Sequence, residues 1–277
     1  MGVSVAVAAT SLSSGFGGQM VSQLKKSLRA GQSIQECATP QNGPDVGRSR
    51  MLAFLENDPR PVAIIVICFR PDAPTIDAFR GKGVPMVLID EEAEGASTVA
   101  FDSFAGGYLA GQHLARTGRK SIAVVSGWTQ VNGGYNALQR VNGFAKAMAQ
   151  ASLPFRREDV IEVRDYTHRD GVNAITRLHD ERRKVDAVFS AAGDATATGI
   201  LAAARERRIQ VPEQLAVVGY DDSPIAAISD PPLTTIRQSL ELLAEEALRV
   251  ATSPSADVLA RPKKRLLAPT LVQRRSV

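Results

Sequence analysis

Hydrophobic positions along the chain switch repeatedly between two spacings. Short, nearly continuous apolar runs such as VSVAVAA (3–9), PVAIIVI (61–67) and SIAVVS (121–126) alternate with longer segments whose apolar residues recur every three or four positions. The first pattern fits strands buried on both faces; the second fits helices with one apolar stripe. Strands are predicted at 3–9, 33–38, 61–67, 84–89, 97–101, 121–126, 159–163, 186–190 and 214–219, with a β-like run at 233–236 and a closing strand pair within 264–275. Helices are predicted at 17–30, 45–57, 73–81, 103–117, 135–151, 168–183, 194–208, 223–229 and 238–252. In the first of these, Met20, Val21, Leu24 and Leu28 form the stripe, and Gly31 supplies a stop.

Strands and helices that alternate in this way predict an α/β fold of parallel, doubly wound sheets. The strands are too many for one comfortable sheet, so two lobes are expected. In such sheets ligands bind beyond the carboxyl ends of the strands, where loops and helix N-termini converge. Asp90, Asp221 and Asp222 fall at such ends, as do Thr10-Ser11, Arg70, Trp128 and Gly193-Asp194. Asp222 directly precedes Ser223-Pro224 and suits an N-cap, which leaves Asp221 to face a ligand.

Composition narrows the function classes. The 277 residues include 33 basic and 29 acidic side chains, a net charge of +4, with 44% hydrophobic residues. So small an excess of positive charge is no argument for a nucleic-acid partner. The clusters Arg182-Arg183-Lys184, Arg205 with Arg207-Arg208, and Lys263-Lys264-Arg265 read as solvated helix ends or strand flanks. Cys37 and Cys68 lie in predicted strands without metal-type spacing, as reduced cysteines do in a reducing compartment. No run is long and apolar enough for a membrane span, and no basic segment precedes the first strand as in a secretory signal. A cytoplasmic protein without membrane contact is expected.

Catalytic motifs fail one by one. Gly15-Phe16-Gly17-Gly18 opens a helix after a strand, but Met20 stands where a dinucleotide fingerprint needs glycine. Neither a phosphate loop nor a G-x-S-x-G elbow occurs. His113, His168 and His179 fall on predicted helices without partners at metal-ligand spacing, and Ser22-Gln23-Leu24-Lys25 is too short a pattern to mark a nucleophile. Hence no catalytic residue, metal or cofactor is predicted. Carboxylates, an arginine, amides and aromatics at strand ends suit a polyhydroxylated ligand instead. Planar charged groups pair with vicinal hydroxyls, and aromatic faces cover the C–H side of a ring.

Several long motifs, in order, carry a resemblance. VVGYDDSPIAAISDPPLTTIRQ, RVNGFAKAMAQASL, DAVFSAAGDATATGILAAARERRIQVPEQLAVVGYDD and the closing LLAPTLVQRRS resemble the lactose-repressor (LacI/GalR) family of bacterial transcription regulators over essentially the whole chain. The resemblance implies two Rossmann-like lobes joined by three crossovers near 101–103, 237–239 and 266–268, like a type I periplasmic binding protein. The N-terminal lobe is then 1–102 plus 238–266 and the C-terminal lobe 103–237 plus 267–277, with an effector held between them.

By the same resemblance, Arg140 forks onto ligand hydroxyls or a carboxylate, and Asp221 and Asp90 take further hydroxyls. Tyr166 stacks on the effector, Gln238 reaches in from a crossover, and Thr10 and Phe16 come from the first loop. Gly193 stands where the family often carries an amide, removing a donor and an acceptor. The first loop lacks the family's proline-plus-aromatics version, so the effector's identity does not carry over.

The family places a helix-turn-helix headpiece before the first strand, and its operators are read there. Here the sequence starts at the strand. The expectation is an effector-binding and dimerisation core, a homodimer touching operator DNA only through a headpiece outside this sequence. The alternative is a stand-alone solute-binding protein for sugar transport, which would need an export signal and would favour a monomer. An enzyme on the same scaffold is the third class, opposed by the failed motifs.

Overall fold

The computed structural model describes every residue except 1, 14, 40–43, 58, 68, 128, 130–134 and 182–183. Cys68, Trp128 and Arg182-Arg183, singled out above, lie outside the described residues. The chain divides into two units, Met1–Phe101 with Ser239–Leu267 and Asp102–Gln238 with Ala268–Val277.

Unit 1 is built on a six-stranded sheet of β1 (Val3–Ala9), β2 (Gln32–Ala38), β3 (Ala63–Ile67), β4 (Met86–Ile89), β5 (Ser97–Phe101) and β11 (Lys264–Leu267), in the order β11-β5-β4-β3-β1-β2. Neighbouring strands run parallel, with Val7 opposite Ile65 and Ile65 opposite Val87. Alternate residues feed two cores. Val5, Val7, Ile65 and Val87 face α1 (Gly15–Lys26) and α9 (Leu240–Ala251), whereas Ala6, Ala8, Ile64 and Leu88 face Met51, Phe54, Ile76 and Phe79. That two-sided burial explains why these strands read as unbroken apolar runs.

Unit 2 repeats the design. Its sheet holds β6 (Ile122–Ser126), β7 (Val160–Glu162), β8 (Ala187–Ser190), β9 (Ala216–Asp221), β10 (Thr234–Arg237) and β12 (Thr270–Val272), in the order β12-β10-β9-β8-β6-β7. Only β12 runs antiparallel, with Thr235 opposite Val272. One face packs on α4 (Ser103–Arg116) and α5 (Tyr135–Gln150) through Phe144, Phe189, Val218 and Tyr220. The other packs on α6 (His168–Asp180) and α7 (Asp194–Glu206) through Ile175, Leu178, Ile200 and Val217. α4 and α5 cross at backbone contact: a β-carbon on Gly107 would collide with the carbonyl oxygen of Arg140.

Several boundaries move. The first helix ends at Lys26 rather than near 30, and Gly31 turns the chain into β2 with φ 82°. The second helix stops at Ala53 and tightens into a 3₁₀ turn over Phe54–Glu56. The strands within 264–275 do not pair with each other: β11 joins β5 and β12 joins β10, because the chain leaves unit 1 at Leu267. A short helix at Ser255–Ala260 was not predicted.

No helix among the described residues is long and apolar enough to cross a membrane. Among those residues no cluster of three or more histidine, cysteine, aspartate or glutamate side chains is placed to hold a metal ion.

Candidate functional site

Five parallel strands of unit 2 end on the same edge of their sheet, and the polar residues gather there. Asp221 closes β9, and its register partner on β10 is Arg237. The next residue, Gln238, is buried and donates from Nε2 to Asp221 Oδ1 at 2.9 Å. Gly193 follows β8 and precedes α7 with φ 96°, a left-handed conformation that favours glycine. A β-carbon there would lie 2.8 Å from Asp221 Oδ2. Gly193 thus brings the backbone against the carboxylate and presents no side chain to it.

Arg140 enters from the second turn of α5. Its Nη1 donates to the carbonyl of Ala191 at 2.8 Å, and its guanidinium carbon lies 3.8 Å from the centroid of the Tyr220 ring. A cation over an aromatic face, in a partly desolvated setting, is held by the ring quadrupole as well as by hydrogen bonds. Tyr166, in the loop after β7, has φ 58° and remains 43% exposed. Its hydroxyl rests against Gly127, the residue after β6.

The three ionisable groups feel one another. Burial pushes the Asp221 carboxyl up, offset in part by the Arg140 charge and the Gln238 hydrogen bond. Tyr166 is pushed up by burial first; Arg140 acts against that and Asp221 adds to it. Arg140, Tyr166, Gly193, Asp221 and Gln238 are therefore brought together.

Asp194 lies beneath them, 1% exposed at the first turn of α7. Its Oδ1 accepts from the Thr235 hydroxyl at 2.6 Å, and its Oδ2 accepts from the Ser223 amide at 2.7 Å and hydroxyl at 3.0 Å. These bonds fix the turn carrying Asp221 and Asp222, both at positive φ. Burial, with the nearby Asp221 charge adding to it, pushes the Asp194 carboxyl up to about 7 against the hydrogen bonds that favour its ionised form.

The expected cap role of Asp222 is overturned. Ser223 is the N-cap of α8 (Pro224–Ile228), with no side-chain capping bond. Asp222 instead accepts from Arg237 Nε at 2.6 Å and from Arg274 Nη2 at 2.6 Å. Two charge-assisted bonds outcompete one backbone amide. Arg274 arrives from the C-terminal segment, which local sequence could not have indicated.

In unit 1 the predicted residues are less convergent. Thr10 follows β1 and Asp90 follows β4, which β3 separates in the sheet, so the two ends stand about 10 Å apart by strand spacing. Asp90 has φ 60°, and its amide donates to Val99 at 3.2 Å. Phe16, in the first turn of α1, packs partly buried against the unit 1 core. Sequence reasoning missed Tyr220 as the platform for Arg140 and Asp194 as the support of the turn. The strand-end position of Asp194 was the available signal for the latter.

Comparison with known proteins places this geometry. Residues 112–277 match the family model described as a periplasmic binding protein-like domain. The chain is similar to the HTH-type transcriptional repressor PurR of Actinobacillus pleuropneumoniae serotype 3 (strain JL03), 31% identical over 222 residues, covering 79% of this chain and 64% of that protein. The PurR repressor of Glaesserella parasuis serovar 5 (strain SH0165) is 31% identical over 259 residues, 90% of this chain and 73% of the relative. The chain thus spans about two thirds of the length of these curated relatives. Among solved structures, a complex of the transcriptional regulator CelR with cellobiose superposes with a TM-score of 0.83 at 27% identity, covering 99% of this chain and 84% of that one.

Proposed function

The chain belongs to the LacI/GalR family of transcriptional regulators and carries its periplasmic-binding-protein-like domain, and from that premise we propose that it senses a small polar effector at the strand ends of unit 2. The convergence of Arg140, Tyr166, Asp221 and Gln238 supports this reading. A guanidinium and a carboxylate near enough to influence each other electrostatically donate to and accept from neighbouring hydroxyls, and Tyr166 offers an aromatic face to a ring. The effector is a sugar or sugar derivative. Thr10, Phe16 and Asp90 are the candidate ligand-facing residues of unit 1.

Binding is the whole of the chemistry, and no step of it transforms the ligand. The effector shifts an equilibrium between conformations of the domain, to the extent that its affinity for them differs. In the intact regulator that shift changes operator affinity, and the domain works as a homodimer in the cytoplasm. Transport of a solute by a stand-alone binding protein is the weaker reading, since the similar curated proteins are repressors.

A thermal-shift screen of the purified chain over sugars, sugar phosphates, sugar acids and nucleobases tests the proposal. A saturable rise in melting temperature that disappears in Arg140→Ala supports it. A rise of equal size in that variant would place binding elsewhere.

A further inference from the structure

We propose that Arg274 is a positioning residue of the unit 2 site: through Asp222 it holds the backbone turn that aims Asp221. Only the role of Asp221 as ligand carboxylate rests on the effector-binding reading above.

β9 runs out in Asp221 at φ 101°, and Asp222 follows at φ 56°. Residues other than glycine avoid this left-handed region unless surrounding contacts impose it, and here two stand in succession. Contacts reach the turn at three points. Gln238 takes Asp221 Oδ1, Asp194 takes the Ser223 amide, and Arg237 and Arg274 take the Asp222 carboxylate between them.

The two arginines are unequal. Arg237 is half exposed, so water competes for its bond. Arg274 is largely buried and is fixed independently of Asp222. Its Nη1 donates to the Leu233 carbonyl at 2.8 Å, and its amide donates to Thr234 Oγ1 at 2.9 Å. The residues after it dock the same segment. The Arg275 amide donates to the Pro232 carbonyl at 3.0 Å, and buried Ser276 Oγ donates to the Val217 carbonyl at 2.6 Å and accepts from the Thr234 amide at 2.8 Å. The guanidinium is therefore a fixed point, anchored to β9 and β10 together, against which the Asp222 carboxylate is set.

The clamp also joins two passages of the chain between units. Arg237 precedes the passage at Gln238–Ser239, and Arg274 follows the passage at Leu267–Ala268. A shift in either segment reaches the neighbour of Asp221 through one carboxylate. An ion pair serving stability alone can give way to apolar groups with no effect on the turn. A positioning pair cannot.

Hydrogen exchange of the full chain, resolved to single amides by mass spectrometry, tests this without a ligand. The Ser223 amide, bonded to Asp194 Oδ2 at 2.7 Å, reports the turn, and the Val218 amide within β9 reports the sheet. In Asp222→Ala/Arg274→Met, Ser223 should exchange at least tenfold faster while Val218 stays within about twofold of the parent. Asp222→Asn, which tolerates the left-handed backbone and keeps an acceptor for Arg274, should stay within about threefold of the parent at both amides. Parent-like exchange of Ser223 in the double variant would reduce the pair to a structural one and overturn the proposal. Equal acceleration at both amides would overturn it too, as would a loss in Asp222→Asn as large as in the double variant. Should the double variant not fold, Arg274→Gln, which leaves Asp222 its bond to Arg237, is read in the same way, with at least threefold faster exchange expected at Ser223 alone. Failure here leaves the effector site standing, and failure of the Arg140-dependent thermal shift leaves the clamp standing.

Discussion

Gln238 is the last residue of unit 2 before the chain passes into unit 1 at Ser239, and its side-chain amide holds Asp221 Oδ1 at 2.9 Å. A crossover residue therefore orients the carboxylate proposed to receive the ligand. The register makes this possible: Asp221 stands opposite Arg237, and one further step along β10 brings Gln238 within reach. Gln238→Leu should remove the donor and leave the carboxylate less solvated, costing about 1.5–3 kcal/mol of stability. Gln238→Glu should cost more, since it sets two carboxylates against each other. Urea unfolding measures both, and two variants as stable as the parent would show the bond to be inconsequential.

Arg140→Ala and Asp221→Asn should abolish ligand-induced thermal stabilisation while circular dichroism stays that of the parent. Loss of a charge-assisted hydrogen bond to ligand is worth about 1.5–3 kcal/mol, more than tenfold in affinity. Arg140→Ala should also lower intrinsic stability by about 1–2 kcal/mol, because its packing on Tyr220 goes with it. Parent-like binding by both variants would dismantle the site assignment.

Asp222→Ala should destabilise far more than loss of an exposed surface pair. The Asp222 side chain is 8% exposed and that of Arg274 18%, so the substitution strands a largely buried guanidinium. A loss of about 2–4 kcal/mol is expected in chemical denaturation. The Arg237 partner is half exposed and contributes little. A double-mutant cycle with Arg274→Met should recover most of the loss; simple additivity would argue against the pair.

Asp194 gives the fold a distinctive pH dependence. Its carboxyl titrates at about 7 in the native state, against roughly 3.9 for an aspartate in an unfolded chain. The native state holds that proton more tightly. The associated stability is therefore complete below the unfolded value and is lost as pH rises through about 7. Glu162 and Glu246 act oppositely: their carboxyls are held low by hydrogen bonds, from Thr129 and Arg249 respectively, so their contribution fades as pH falls. Asp194→Asn removes only the first effect. The stability of the parent relative to this variant should fall with rising pH by up to about 1.4 kcal/mol per unit between about pH 4 and about pH 7. Melting curves across that range check it, and a flat difference would mean that Asp194 stays ionised.

Gly107→Ala should be severe for a substitution of one methyl group. The added carbon meets the backbone carbonyl of Arg140, which cannot move without parting α4 from α5. A loss of about 2–4 kcal/mol is expected, within the range for overpacking at a backbone contact. Ligand binding should weaken as well, because Arg140 would be displaced. A neutral effect on unfolding would mean that the two helices separate easily.

Much of this architecture was legible beforehand. Strands buried on both faces cannot hide polar residues, so VSVAVAA and PVAIIVI announced themselves, and the carboxyl ends of strands picked out Asp221 and Gly193. Helix ends were less readable. The stripe through Leu28 continued past Lys26: Leu28 packs on the same core as the helix and α9, but from beyond the helix end, so apolar spacing alone did not mark the stop. In unit 1, Thr10 and Asp90 were legible as strand-end positions, whereas Phe16 came from resemblance alone. Phe16 shows the difficulty: an apolar side chain at a helix start suits a core as well as a ligand.

The sequence by itself determined the alternation of strands and helices, the two sheets that follow from it, and which residues stand at strand ends. Hydrophobic spacing reports local geometry, and local geometry needs no knowledge of partners. Only the tertiary structure decided what those end residues touch. Asp222 serves Arg274, 52 positions away, rather than the helix beside it; Arg140 lies on Tyr220; and Asp194 is buried with Thr235, 41 positions distant. Such roles depend on which strands lie side by side, because a charge takes whichever partner sheet order brings within bonding distance.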